Sequence, residues 1–235
     1  MSTPSESRQS PDRPGPELLV MAYERGIFPM GDPDTGEVDW YSPDPRAIIP
    51  LDDAFHVPRS VARIIRAGRF QIRHDVDFSA VMRACAAPRP GEPETWIDEQ
   101  LVAAYSALAD RGIAHSVEAW RAGERVGGLY GVHLAGAFFG ESMYHRPDLG
   151  GRDASKVCLV ALVDHLRAIG AVLLDTQFMT PHLARFGAHE IRRSDYLARL
   201  RRALDVPADW RIPARAADAR LDARPDPSSG AQPRA

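Results

Sequence analysis

A chain of 235 residues with 44% hydrophobic content has room for one large or two small domains and a substantial core. Its net charge of −3 gives the whole molecule no attraction for nucleic acid, so any RNA contact must come from a local basic patch. Two cysteines, Cys85 and Cys158, sit in separate apolar helical patterns. They read as small core residues, not as a zinc site or a disulfide framework.

No apolar run is long enough to span a bilayer, and Met1–Pro16 lacks the apolar stretch of a secretory signal. The expected location is the cytoplasm, without membrane contact. Residues 1–16 and 214–235 are rich in Pro, Ser, Arg and Ala and are expected to be disordered.

Helical periodicity runs through Leu18, Leu19, Met21 and Ala22 and ends at Gly26, with an apolar turn over 26–30. The proline-punctuated segment 38–50 predicts a short strand, a turn and a second short strand. A helix is predicted from Val57 to Ala67, with Val61, Ile64 and Ile65 as its apolar stripe. Arg59, Arg63 and Arg66 share its other face with no acid between them. This is either a solvated face or a phosphate-binding one.

A short strand at 70–73 and a helix at 77–86 follow. After a Pro-rich loop at 88–93, Thr95 and Asp98 give a capping-box pattern before a helix with Ile97, Leu101, Ala104, Tyr105 and Leu108 inward. A three-stranded meander is predicted next: 113–120, 126–134 and a third strand through Phe138-Phe139-Gly140-Glu141-Ser142-Met143-Tyr144. Alternation puts Phe139, Glu141 and Met143 on one face. A bulge near Gly140 would bring Phe138 round to join them.

The remainder reads as an apolar helix at 154–169, a buried strand at 172–177, a short helix at 182–186 capped by Thr180, a strand at 188–192 and a helix at 194–204. The order predicts an α+β sheet with a crossover after the meander. Asp175 and Gln177 fall on one face at the end of a buried strand. They suit orientation of an amine and passage of a proton, although Asp175 equally suits a cap or turn.

Six motifs in order carry a resemblance. They are Gly26-Ile27-Phe28-Pro29-Met30, Trp40-Tyr41-Ser42-Pro43-Asp44-Pro45-Arg46, His115-Ser116-Val117-Glu118-Ala119-Trp120, Val126-Gly127-Gly128-Leu129-Tyr130-Gly131, Phe139-Gly140-Glu141-Ser142-Met143 and Ala154-Ser155-Lys156. Over about residues 17–204 the chain resembles the leucyl/phenylalanyl-tRNA–protein transferase family.

The resemblance implies a small N-terminal α/β domain (17–66) and a larger domain of the GNAT superfamily type (67–206). It implies transfer of Leu or Phe, with Met as a further donor, from aminoacyl-tRNA to the N-terminal Arg or Lys of a protein. The product is then marked for degradation by the N-end rule. Trp96, Tyr105, Leu129, Phe138, Met143 and Leu174 fall at the family's apolar pocket positions, with Tyr41 at the edge. Glu141 and Ser142 lie in its Gly-Glu-Ser-Met strand, and Asp175 and Gln177 match its catalytic pair.

Arg59, Arg63 and Arg66, with Lys156, are the expected tRNA contacts. The ester donor is already activated, so no cofactor and no metal is expected, and the chain is expected to act as a monomer. Three departures stand out: Tyr41 where the family usually has tryptophan, Thr176 where it usually has cysteine, and a longer loop at 145–153. The competing readings are an acyl-CoA-dependent N-acetyltransferase and an RNA- or degron-binding adaptor. The former needs a glycine-rich pyrophosphate loop. Gly150-Gly151 stands in that place, but Arg152-Asp153 follows, and an acid there repels pyrophosphate.

Overall fold

The computed structural model describes residues 14–88 and 95–211. The expectations for the two tails, but for Pro14–Pro16, and for nearly all of the Pro-rich loop at 88–93 lie outside the described residues.

Chain order within these residues begins with α1 (Pro16–Glu24), β1 (Phe28–Gly31), β2 (Val38–Tyr41), β3 (Arg46–Ile49), α2 (Arg59–Arg66), β4 (Gln71–His74), α3 (Phe78–Ala86) and α4 (Glu99–Asp110). It continues with β5 (Ala114–Arg121), β6 (Glu124–Leu134), β7 (Ala137–His145), α5 (Ala154–Ile169), β8 (Leu173–Gln177), α6 (Pro181–Ala184), β9 (His189–Ile191) and α7 (Arg193–Leu204). β1 and β2 form a separate hairpin, so the segment at 26–30, read as a turn, supplies a strand. The other seven strands make one sheet in the order β4-β5-β6-β7-β8-β3-β9.

The helix ends follow local chemistry. Asp77 caps α3 by accepting from Ala80 N (3.0 Å), and Thr180 caps α6 by accepting from Leu183 N (3.2 Å). Asp98 itself caps α4, accepting from Leu101 N (2.7 Å), while Thr95 Oγ1 accepts from Ile97 N ahead of the helix; the expected capping box is a simple cap. Gly170 closes α5 at φ +79°, a left-handed position where a Cβ is unwelcome.

Two cores flank the sheet. One packs α1, α3, α4 and α7 through Leu19, Tyr23, Met82, Tyr105, Phe139 and Leu200. The other packs α2 and α5 through Val61, Cys158, Leu162 and Phe138. Cys85 and Cys158 are both buried and neither forms a disulfide. Ile65, expected inside, is exposed, as is Val172, which precedes β8.

The parallel pair β7–β8 is joined by α5, the predicted crossover. It bonds only over Ala137–Phe139 against Leu173–Asp175. Beyond that point each strand carries an irregularity: one at Glu141, where Tyr130 pairs with Ser142 and Gly131 with Gly140, and one at Thr176, between the Ala47 and Ile48 pairings. The two bulges face each other and the strands splay. The bulge at Glu141 also sorts the side chains. Phe138 and Met143 join the α5 face, whereas Phe139 and Tyr144 join the α3–α4 face, so only part of the expected grouping forms.

β3 enters the main sheet between β8 and β9, and α2 packs on α5. Both elements, expected in the N-terminal unit, are thus integrated into the larger body. Residues 205–211, beyond the last predicted helix, lie against the sheet. Trp210 stacks on His115 (centroids 4.0 Å) and on Phe138 (5.6 Å), and its Nε1 donates to Asp75 Oδ2 (2.9 Å).

Candidate active site

The splay between β7 and β8 opens a cleft of about 440 Å³. Leu129, Met143, Leu159, Leu162, Leu174 and Leu183 make its apolar wall. Glu141, Ser142, Thr176, Gln177 and His182 supply polar groups. Leu159 and Leu162 come from α5 and Phe178 from the loop after β8. Periodicity marked α5 only as apolar, and a phenylalanine directly after the predicted buried strand was the available signal for the loop.

Six of the expected site residues meet here: Leu129, Glu141, Ser142, Met143, Leu174 and Gln177. The others lie elsewhere. Phe138 is fully buried beneath the wall. Tyr105 is fully buried on the opposite face, where its hydroxyl hydrogen-bonds that of Tyr23. Trp96 and Tyr41 line a separate recess with Met30, Asp32 and Asp39. An aromatic chain links Tyr41 to the cleft: it stacks on Phe28 (5.9 Å), and Phe28 meets Phe178 edge-on (5.7 Å).

Asp175 does not reach the cleft. It is 0% exposed and bonds Arg46 with both oxygens, Nε to Oδ1 at 2.9 Å and Nη2 to Oδ2 at 2.6 Å. Tyr196 OH donates to Oδ2 (2.8 Å), and the Gln177 backbone N–H donates to Oδ1 (2.9 Å). The expectation that Asp175 itself meets an incoming amine is therefore corrected: its carboxylate has no free face. Gln177 stands at the cleft in the left-handed region (φ +58°), costly for a non-glycine residue and maintained by its surroundings. Its Nε2 donates to Glu141 Oε1 (3.2 Å).

Glu141 is the acid that faces the cleft. Burial pushes its carboxyl up to about 8, and nearby Asp175 adds to this, against a hydrogen bond from Tyr23 and the Arg46 charge. The hydroxyls of Tyr23, Tyr105 and Tyr130 are raised well above the usual value, first by burial and then by Glu141. Such a group, a protonated carboxyl at neutral pH, is suited to exchanging a proton with an amine.

Near the cleft mouth α5 begins at Asp153, whose carboxylate is ion-paired with Lys156. Burial alone would raise the Asp153 carboxyl, but Lys156 holds it below the usual range. Lys156, expected as a phosphate contact, is partnered with Asp153 within the chain and keeps about a quarter of its side chain exposed. The loop at 145–153 is folded back: Gly151 N donates to Arg146 O (2.8 Å), and Gly151 lies so close to Val126 O that no Cβ would fit. Arg59, Arg63 and Arg66 all lie exposed on α2.

A larger cleft, about 1060 Å³, opens at the other end of the sheet. Two of its acids serve the fold: Asp75 accepts from His115, Ser116 N and Trp210, and Asp77 caps α3. Among the described residues no group of three or more His, Cys, Asp or Glu side chains could hold a metal ion. No described helix is long and apolar enough to cross a membrane.

The leucyl/phenylalanyl-tRNA protein transferase family profile matches residues 48–201, and the profile of that family's N-terminal domain matches residues 14–44. A leucyl/phenylalanyl-tRNA–protein transferase of Herpetosiphon aurantiacus is 56% identical over 198 residues, covering 84% of this chain and 98% of the relative. The chain belongs to this family. A second member, from Salinibacter ruber, is 49% identical over 223 residues, covering 95% of each chain. Among solved structures, a GCN5-related N-acetyltransferase from Sphaerobacter thermophilus aligns with a TM-score of 0.41 and 20% identity, over 74% of this chain and 53% of that one.

Membership in the transferase family makes this chain an aminoacyltransferase, here on a mixed α/β fold. Tyr41 packs on Phe28, and Thr176 Oγ1 donates to Ala47 O (3.4 Å) at the bulge.

Proposed function

We propose that this protein moves Leu or Phe from aminoacyl-tRNA onto the N-terminal Arg or Lys of an acceptor protein, creating an N-terminal residue that marks it for degradation. The observation that carries this reading is one cleft with a leucine-rich wall and a Glu141–Gln177 polar rim. The donor side chain occupies the apolar wall. The acceptor, cationic at its first side chain, approaches Glu141.

The acceptor nitrogen attacks the ester carbonyl carbon. A C–N bond forms, the C–O bond to ribose breaks, and the proton lost by the amine ends on the ribose oxygen. An α-amine titrates near ~8, close to Glu141, so proton exchange between them is nearly level. Gln177 orients the amine through its amide, and Asp175 acts behind it. Holding amine and ester together is worth roughly 7–11 kcal/mol, so no further activation of the ester is needed. Donors branched at Cβ put bulk beside the ester and fit the wall poorly.

The acyl-CoA reading is disfavoured by Asp153 at the start of α5 and by the packed Gly150-Gly151 turn, which leave no open cradle for pyrophosphate. The test offers Leu-, Phe- and Ile-tRNA, and separately acetyl-CoA, to the protein with an Arg-initiated peptide. Transfer of Leu and Phe well above Ile is expected, the margin for one displaced methyl being about 1–3 kcal/mol. Acetyl transfer without aminoacyl transfer would overturn the proposal, and equal use of Ile and Leu would remove the wall as selector.

A further inference from the structure

Arg46 closes the proline-rich motif of residues 40–46 and does not line the cleft. It is among the most buried charges in the molecule, 1% exposed. Its guanidinium lies between two aromatic faces, 4.8 Å from the Phe28 centroid and 4.6 Å from that of Tyr196. Its five N–H groups are directed outward in one plane. Two bond Asp175 as a fork, and Nη1 donates to Gly26 O (3.2 Å). That carbonyl ends the turn after α1, while Phe28 begins the hairpin. Arg46 therefore joins the N-terminal hairpin, β3 and β8 at a single carboxylate.

Asp175 in turn accepts from the Gln177 backbone N–H. That bond spans the residue at which the bulge forms and supports Gln177 in its left-handed conformation. Gln177 then reaches Glu141. The chain of contacts runs Arg46, Asp175, Gln177 N–H, Gln177 amide, Glu141. Three links are hydrogen bonds of 2.6–3.2 Å, and the fourth is the covalent frame of Gln177 itself.

We propose that Arg46 is a positioning residue for the transfer reaction: its fork holds the Asp175 carboxylate in the one orientation that sets the Gln177 amide at the cleft. It touches neither substrate. A lysine keeps the charge but not the planar fork, so it cannot reproduce both bonds together with that to Gly26 O. A wholly structural buried ion pair would stabilise the fold without changing turnover by the folded fraction.

The inference rests on the aminoacyl-transfer reading, and the experiment separates the two. Wild type, Arg46→Lys, Arg46→Ala, Asp175→Asn and the Arg46→Ala/Asp175→Asn double variant are assayed for single-turnover transfer of Leu to an Arg-initiated peptide. KM for Leu-tRNA and melting temperature are measured alongside. Arg46→Lys is expected to lose about 10²-fold in turnover by misplacing Gln177, with KM nearly unchanged because the donor wall is intact. Guanidinium ion, at concentrations below those that unfold the protein, should partly restore Arg46→Ala. In the double variant the two losses should fall well short of multiplying, since both act through one carboxylate.

Where the unpaired Asp175 keeps Arg46→Ala from folding, Arg46→Lys decides the matter, together with the double variant, which leaves no lone buried charge and should turn over like Asp175→Asn. Wild-type turnover by folded Arg46→Lys, or losses that multiply in the double variant, would overturn the inference. An inactive wild type would instead overturn the functional reading beneath it.

Discussion

Glu141 and Asp175 belong to neighbouring strands but play opposite electrostatic parts. Asp175 has a guanidinium fork and two further donors; Glu141 has an amide, a tyrosine and a shortage of water. The consequence for stability has a definite sign. The unfolded Glu141 loses its proton near 4.5, while the folded one keeps it up to about 8. Between those values the folded state binds the extra proton, so stability falls as pH rises through that window and levels above it. Glu141→Gln keeps an acceptor for Gln177 and removes the titration. It should therefore melt higher than wild type at pH 8 by at least about 1 kcal/mol of stability, a gap that narrows toward pH 5. Thermal unfolding across pH 5–9 checks this. A constant gap would mean that Glu141 titrates like an exposed carboxyl.

At the scale of elements, α2 presents Arg59, Arg63 and Arg66 outward while Val61 holds the helix to α5. Since α5 also gives Leu159 and Leu162 to the cleft wall, the arginine face and the cleft share one supporting helix. We propose that these arginines meet tRNA phosphates, contacts that fix position and carry no sequence information. Reversing two of them, as in Arg63→Glu/Arg66→Glu, should leave melting unchanged because both side chains are exposed. It should weaken tRNA binding and flatten log K against log salt by about 1 per lost phosphate contact. Binding titrations between low and physiological salt read this out. An unaltered slope would move the RNA-binding face away from α2.

Over the whole molecule, the sheet has two ends with different duties. One end splays into the cleft. At the other, Ala208–Arg211 form part of the wall of the larger cleft, and Trp210 lies on His115 and Phe138 and within 4.2 Å of the His165 ring centroid. Burial pushes His133 and His165 down to about 4, so these two imidazoles are neutral at ordinary pH. Trp210→Ala should cost about 3 kcal/mol in urea unfolding, a typical loss for a large buried aromatic. Turnover per folded molecule should hardly change, because Phe138 and the sheet separate Trp210 from the cleft. A large loss of turnover at unchanged stability would contradict this division.

Periodicity and turn residues were enough to place the long helices, the meander and the crossover. Those patterns are local, recurring every 3.6 or two residues wherever one face is buried. Gly-Glu-Ser-Met and Asp-Thr-Gln also stood out in the sequence, and six residues of the expected site do line the cleft. Three things depended on contacts distant in sequence. β3 joins β8 across 129 positions at Arg46–Asp175, which turned an apparent reacting acid into a buried ion pair. Facing bulges at Glu141 and Thr176 arise from strand pairing, and a bulge's register is not written in either strand alone. Trp210 lies in a segment without periodicity, and only the histidine- and phenylalanine-lined end of the folded sheet gives it a place to pack.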